Sequence, residues 1–471
     1  MTKTRNCHVL AAELQRRLPA PLTGDIRHNI VASQRLGSTL PREAFSEPVS
    51  EWRVVLMSTN KRKFAAVLCI AAIAATVSAC SSSGGKSGGA STSDGTTKSP
   101  ILIGGAGPVA SQVLSQPERE ASLKASIDEI NAAGGINGHP LKYKFCDTKS
   151  DANQELACMR QLVADKVSAI IAPGIIVDQS GRGLKAASDA GVPVIGSQGL
   201  SPIEFNTKGI FPLTGGIPSW AYGATAALLD SGAKKIGLFG SNENGASFSL
   251  GLATQALTAA GVTPVSKVQV DPTADPTFVS GAAKLISSGA DGVLVFSSPA
   301  YIAKEITALR QAGFKGKIST ITGTVTPQIL NALGSTANGL LLTSAMALTS
   351  DTSNSEVAGY LAAMKKYSPS SQINDTSETT YAAVQLLAQV MAKSTSFTAA
   401  DVLKAFTSLS TPVDTGLTGP FSVTSHQSYL AGFPNIYNPE VENGSVKNGV
   451  IVTDGKGFVN PFAELAKLKS S

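Results

Sequence analysis

Residues equipped for covalent or acid–base chemistry are sparse in this sequence. Beyond the first hundred positions there are two histidines, His139 and His426, and neither has a cysteine or carboxylate partner at metal-site spacing. Both read as surface-turn or capping residues. No G-x-S-x-G sits at a strand-to-helix turn, so the many serines lack a nucleophile elbow. There is no H-E-x-x-H and no G-x-x-x-x-G-K-[ST]. The stretch G-A-G-P-V-A at 105–110 follows a strand-like run and resembles a dinucleotide fingerprint only superficially. Pro108 disrupts the turn, the next helix begins near Glu118, and no acidic residue ends the second strand at the required offset. No catalytic constellation, metal site or cofactor site is therefore expected, and the chain reads as a non-enzyme.

The cysteines carry more information. Cys146 and Cys158 form an even pair in what reads as an exported chain, and a disulfide is expected, the alternative being two buried free thiols. Cys80 closes a different pattern. From Met57 the chain runs through the basic cluster Lys61, Arg62 and Lys63, then an apolar run from Phe64 to Val77, then V-S-A-C at 77–80. V-S-A-C resembles a bacterial lipobox. That resemblance implies lipid transfer to the Cys80 thiol, cleavage before it and acylation of the new N-terminus; more than one acyl chain is what stable anchoring requires. An uncleaved signal anchor is the competing reading. The Ser/Gly/Thr-rich stretch that follows disfavours it, because such a sequence behaves as a flexible tether. Residues 57–79 are thus expected to be a lipoprotein signal peptide and 80–99 a tether. Residues 1–56 precede a signal that should itself be N-terminal, and are expected to be a mis-called extension.

Charge confines the partners. The chain has 39 basic and 33 acidic residues; residues 1–63 hold 11 and 5 of them, leaving 28 (39 minus 11) against 28 (33 minus 5) in the remainder. The formal excess lies entirely ahead of the body, which gives no electrostatic case for nucleic acid.

The elements that must position any site alternate regularly from Ser99 onward. Strands are expected at Ile101–Gly105, Leu141–Asp147, Ala169–Ala172, Val192–Gly196, Lys235–Gly240, Val265–Val270, Gly292–Phe296, Ile318–Ile321 and Leu340–Ser344. Helices fall between them, at Glu118–Ala133, Asn153–Asp165, Gly181–Ala190, Ser219–Ser231, Phe248–Ala260, Thr277–Ser288 and Tyr301–Ala312, with Ser355–Lys366 and Ser377–Lys393 following. This is an α/β pattern of two parallel sheets flanked by helices, one per lobe, with ligands expected beyond the strands' carboxyl ends. Trp220, the one tryptophan of the body, reads as packing at a lobe or hinge boundary.

E-I-N-A-A-G-G-I-N-G-H-P at 129–140 closely resembles the first helix and turn of the type I periplasmic binding proteins, in particular the branched-chain amino acid (Leu/Ile/Val) receptor family of ABC importers. I-L-I-G-G-A-G-P at 101–108, D-A-G-V-P-V-I at 189–195, F-K-G-K-I at 314–318 and L-T-G-P-F at 417–421 agree in order. The resemblance implies a two-lobed fold with three hinge crossings, placed near Gly215–Pro218, Ser344–Ala347 and Gly419–Ser422. Lobe one is then 100–217 plus 346–420, and lobe two 218–345 plus 421–465. It also implies an extracytoplasmic protein whose partners are a small-molecule ligand, an ABC permease and, through the lipid on Cys80, the membrane. A ligand-sensing lipoprotein signalling to a membrane partner shares every one of these features.

Where the sequence departs from the family, the cargo is in question. Aligned on A-G-V at 190–192, the family's two carboxylate-clamping hydroxyl positions fall on Val177 and Leu200, and its ammonium-holding acid near Val325. The first-loop aromatic falls on Gln112 and the lobe-two tyrosine on Phe248. An unpartnered buried ion costs several kcal/mol. The expected ligand is therefore not a free α-amino acid but a more apolar or neutral organic molecule. Gln112, Gln198, Asn244 and Tyr301 would orient it, and Ile175, Ile176, Val177, Leu200 and Phe248 would supply apolar contact. A shifted alignment, with Ser180 or Ser201 as the clamp, is the alternative.

Overall fold

The computed structural model describes residues 98–111, 114–174, 178, 180–424 and 429–470. The extension, the signal peptide, Cys80 and nearly all of the tether lie outside the described residues. So do Gln112, Ile175, Ile176, Val177 and His426.

The first sheet is built from β1 (Ile101–Gly107), β2 (Leu141–Asp147), β3 (Ile170–Ile171), β4 (Val194–Ile195) and β5 (Ile210–Phe211). Its order is β2-β1-β3-β4-β5, and every pairing is parallel. Between the strands run α1 (Glu118–Ala132), α2 (Ala152–Ala164), α3 (Arg182–Asp189) and the short α4 (Pro202–Asn206). Parallel strands need covered faces, and these are covered on both sides. One face packs Ile103 and Ile171 against Leu123, Tyr360 and Val384; the other packs Ile170 and Val194 against Met159, Leu162 and Leu184.

The chain then crosses to a second lobe. It contains α5 (Gly216–Asp230), β6 (Ile236–Ser241), α6 (Asn244–Ala259), β7 (Ser266–Val270), α7 (Val279–Ser287), β8 (Gly292–Val295), α8 (Ile302–Gln311), β9 (Lys317–Ile321), α9 (Pro327–Leu333) and β10 (Leu341–Ser344). It returns to lobe one for α10 (Ser355–Tyr367), α11 (Asp375–Met391) and α12 (Ala399–Thr407), and finishes in lobe two with β11 (Val441–Lys447), β12 (Val450–Val459) and α13 (Pro461–Ser470). The second sheet has the order β12-β11-β10-β9-β8-β6-β7. It is parallel from β10 through β7, as expected, and β11 and β12 extend it antiparallel at one edge. The turn between β11 and β12 is Asn448-Gly449, both at positive φ (52° and 78°), the backbone a tight hairpin demands.

The three crossings are tied to one another. The Asn438 amide donates to the Leu213 carbonyl at 3.3 Å and to the Thr418 hydroxyl, Ala347 N–H donates to the Leu417 carbonyl at 2.8 Å, and Leu348 N–H donates to Glu442 Oε2 at 2.8 Å. Asn438 is fully buried, so its hydrogen bonds have no competing water. At the first crossing Gly216 adopts φ +52°, and Ile217 N–H donates to the Gly199 carbonyl at 3.0 Å. A Cβ at Gly216 would lie 2.1 Å from that carbonyl oxygen, so only glycine allows this approach of lobe one to the first helix of lobe two.

Candidate functional site

In lobe one the strand ends converge on Arg119, in the first turn of α1. Its side chain is completely buried. Nε donates to Gln116 Oε1 at 2.9 Å, Nη1 to the Ala172 carbonyl at 3.0 Å and Nη2 to Gln198 Oε1 at 2.5 Å. One planar fork thus fixes the loops after β1, β3 and β4 relative to each other. Burial lowers the guanidinium to about 10, against the attraction of Glu118 and Glu204, so it stays charged at neutral pH. Gly107 and Gly174 make room for it: a Cβ at either would lie 2.6 Å from Arg119 Cδ or 2.8 Å from its Nε. Gly105 likewise makes room for Leu123 and Phe145, from which a Cβ would lie 2.7 and 2.8 Å.

Beside it, Glu204 organises the loop after β4. Its buried carboxylate accepts from the backbone N–H groups of Gly199, Leu200 and Ser201 at 2.7–3.0 Å. Desolvation nevertheless raises its pKa, the hydrogen bonds opposing that rise. Ser201 is the N-cap of α4, and the Glu204 side chain reaches back to its backbone N–H.

The facing strand ends of lobe two carry a second polar group. Glu305 on α8 is fully buried, and its Oε1 accepts from Ser297 Oγ at 2.8 Å, while Ser297 Oγ accepts from the Ser241 backbone N–H at 3.3 Å. Desolvation pushes this carboxyl up to about 8, opposed by the Ser297 bond and reinforced by repulsion from Glu243. It is a neutral acid at pH 7.

The sequence-predicted residues are distributed as follows. Gln198 is half-buried and committed through Oε1 to Arg119. Leu200 of lobe one and Phe248 of lobe two pack against the same aromatic cluster, which contains Trp220, Phe205 and Phe433. The Phe248 and Phe433 rings lie 6.2 Å apart and Phe205 and Phe433 5.4 Å apart. Trp220, 8% exposed, sits in this cluster where the chain enters lobe two. Asn244 is exposed at the start of α6. Tyr301 stands at the N-cap of α8, its ring 5.8 Å from that of Phe278. Val325 is 2% exposed and belongs to the lobe-two core. Cys146 and Cys158 are joined by a disulfide linking β2 to α2. His139 lies in a turn, Nδ1 2.7 Å from the Ser99 carbonyl and its ring against Phe397.

Sequence reading missed Arg119. The available signal was a basic residue in a helix first turn, where the macrodipole disfavours it. It also missed a cavity of about 270 Å³ on the flank of the hinge. Thr322, Val325 and Leu330 of lobe two line it together with Ile373, Asp375 and Glu378 of lobe one. Thr322 Oγ1 donates to Asp375 Oδ2 at 2.6 Å across the lobes.

The comparisons with known proteins bear on this geometry. The family described as periplasmic binding protein matches residues 100–430. No curated protein matches the chain. Among solved structures, an extracellular ligand-binding receptor from Verminephrobacter eiseniae is 19% identical, with a TM-score of 0.65 over 75% of this chain and 99% of that one. A fatty acid ABC transporter substrate-binding protein from Thermomonospora curvata is 18% identical, with a TM-score of 0.65 over 79% and 95%. The branched-chain amino acid transporter substrate-binding protein LivJ of Streptococcus pneumoniae, in complex with isoleucine, is 17% identical, with a TM-score of 0.59 over 75% and 99%. The shared feature is the two-lobed fold.

Proposed function

We propose, from the premise that the chain belongs to the periplasmic binding protein family, that it is the receptor of an ABC importer, tethered outside the cytoplasmic membrane by lipid on Cys80. Proteins of this family are extracytoplasmic and bind ligands without transforming them. Among the described residues no helix is long and apolar enough to cross a membrane, and the proposed hold on the bilayer is the acylated Cys80. Lobe one comprises 100–217 plus 346–420 and lobe two 218–345 plus 421–465 in this reading, closing over a small organic ligand as hinged lobes do.

The ligand is not a free α-amino acid. The observation that carries this is the apolar patch at the lobe boundary: Leu200 and Phe248 each pack against a cluster that contains Phe433 and Trp220, and Val325 stands where the resemblance places an acid. A zwitterion's ammonium would find no carboxylate at position 325, and Asp375 beside this loop is bonded to Thr322 and pushed by burial towards its neutral form, so its pairing there is weakened at a cost of several kcal/mol. An organic molecule with an apolar body loses nothing by that exchange and gains contact area. The Thermomonospora protein, named for fatty acids, is a precedent for such cargo on this fold. A thermal-shift screen of the full-length protein in detergent tests the reading. A ligand at 100 times its Kd adds about 2.7 kcal/mol of stability. Apolar organic acids, alcohols and esters should shift the melting temperature, and stabilisation by free amino acids alone would reject the assignment.

A further inference from the structure

The charges of the body balance in number but not in place. Ligand clefts of this fold class lie beyond the carboxyl ends of the strands. Lysines collect at the opposite, amino-terminal edge of the second sheet. Ile236 pairs with Gly292, Gly292 with Lys317, and Leu341 with both Ser319 and Ser445. Two residues back along β9, and two residues on along the antiparallel β11, Lys317 and Lys447 therefore share one register line with Gly292 and Ile236. Lys315 stands just before β9, Lys234 and Lys235 lead into β6, and Lys267 is the second residue of β7. All six lysines are exposed. The row crosses five strand spacings from β11 to β7, about 24 Å.

Little negative charge offsets it. Among the described residues at this edge Asp291 is the one carboxylate, and its Oδ1 is taken by the backbone N–H groups of Lys234 and Lys235 at 2.9 and 2.8 Å. Asp230, at the end of α5, is paired with Lys456 at 2.7 Å. Among the described residues none of the six lysines has an ion pair of its own. Like charges gathered on one edge repel, and the fold does not account for them. Helix carboxyl ends attract lysines, but Lys267, Lys317 and Lys447 belong to strands, and sheets carry only small net dipoles. Defence of an open edge strand accounts for Lys267 in β7 and for no other.

The residue types say which anion fits. Lysine is a point charge without the fork of arginine, so the row senses charge density rather than the shape of one group. A single row suits a chain of regularly repeated charges. Phe314, next to Lys315, is 4% exposed, and the exposed large hydrophobic residues are all valines. The row thus lacks the aromatic platforms on which the bases of a single-stranded nucleic acid stack. We propose that this edge of lobe two is a docking surface for a linear phosphate polymer of the cell envelope, held by the lysines through its phosphates.

The test is fluorescence anisotropy of end-labelled long-chain inorganic polyphosphate, titrated with the full-length protein in nonionic detergent at several salt concentrations. Saturable binding is expected, with a logarithmic affinity that falls linearly with the logarithm of salt concentration. Lys235→Gln/Lys317→Gln/Lys447→Gln should weaken binding by about tenfold or more and lower the salt slope by about 2, at roughly 0.7 per contact removed. Lys142→Gln/Lys149→Gln/Lys365→Gln, three lysines of lobe one, changes the net charge equally and should leave affinity and slope unchanged. Both triple variants keep residues 1–63 and their 11 basic residues, so the comparison isolates the row. Absence of saturable binding, equal losses in the two variants, or displacement of the label by orthophosphate at equal phosphate concentration would each overturn the proposal. So would tighter binding of oligothymidylate, which would make the partner a nucleic acid, or displacement by phosphatidylglycerol micelles at equal phosphate, which would make it a bilayer. The row lies at the far end of the strands from the cleft, so none of these outcomes bears on the cleft ligand.

Discussion

Replacing Glu305 by glutamine should convert a pH-dependent stability into a flatter one. In the folded chain the Glu305 carboxyl is fully buried, holds Ser297 through Oε1, and leaves Oε2 without a partner among the described residues. Its folded pKa is about 8 against an ordinary 4.5, chiefly from desolvation. The folded state therefore keeps a proton that the unfolded chain releases. The stability associated with the neutral acid is fully present below pH 4.5 and is lost as pH rises towards about 8. At about 1.4 kcal/mol per unit, and allowing for partial titration at each end, the loss between pH 5 and pH 8 is on the order of 3 kcal/mol. Glutamine keeps the acceptor for Ser297 and cannot ionise. Urea unfolding of both proteins at pH 5 and pH 8 measures the difference. Other buried acids, Glu155 and Glu378 among them, titrate alike in both chains and cancel. Glu305→Gln should gain about 3 kcal/mol relative to the parent on going from pH 5 to pH 8. Parallel pH profiles for the two proteins would refute the reasoning, because they would mean that Glu305 is ionised in the folded state.

Other substitutions probe the remaining parts of the site. Arg119→Met leaves Gln116 Oε1, Gln198 Oε1 and the Ala172 carbonyl without their donor, and should destabilise the fold by about 3 kcal/mol in urea unfolding. Arg119→Lys keeps the charge without the fork and should recover only part of that loss. Gly216→Ala places a Cβ 2.1 Å from the Gly199 carbonyl oxygen at positive φ, and should cost about 2 kcal/mol or more, read as a lowered thermal midpoint. Phe248→Ala removes a ring that packs on Phe433 in the cluster shared with Leu200 and should weaken any cleft ligand about tenfold or more by calorimetry.

The alternation of strands and helices was legible because each buried parallel strand is a short apolar run ended by a turn signal. Leu141–Asp147 was read to the residue, and α1 to within one residue at its C-terminus. The β11–β12 hairpin escaped because glycines and charges interrupt both strands, although Asn448-Gly449 marks its turn. The two-residue strand Ile210–Phe211 carries too little pattern to be seen. For the proposed cleft, Leu200 and Phe248 are recognisable as apolar from residue type alone. Arg119 and Glu305 could not, because each looks like a solvated helix residue until the fold closes over it. What holds them is distant in sequence: Ala172 and Gln198 for the arginine, and the end of β6 at Ser241, reached through Ser297, for the acid. The acids of the flank cavity were invisible for the same reason, since Asp375 meets its partner Thr322 53 positions away.

The central claim is that this two-lobed receptor carries cargo other than a free α-amino acid, because Leu200, Phe248 and Val325 stand where the resemblance places the polar partners of a zwitterion. Calorimetric titration of the full-length protein with L-leucine and L-isoleucine tests it most directly. The expected result is no saturable heat in the micromolar range. One-to-one binding of either amino acid with a micromolar Kd would contradict it.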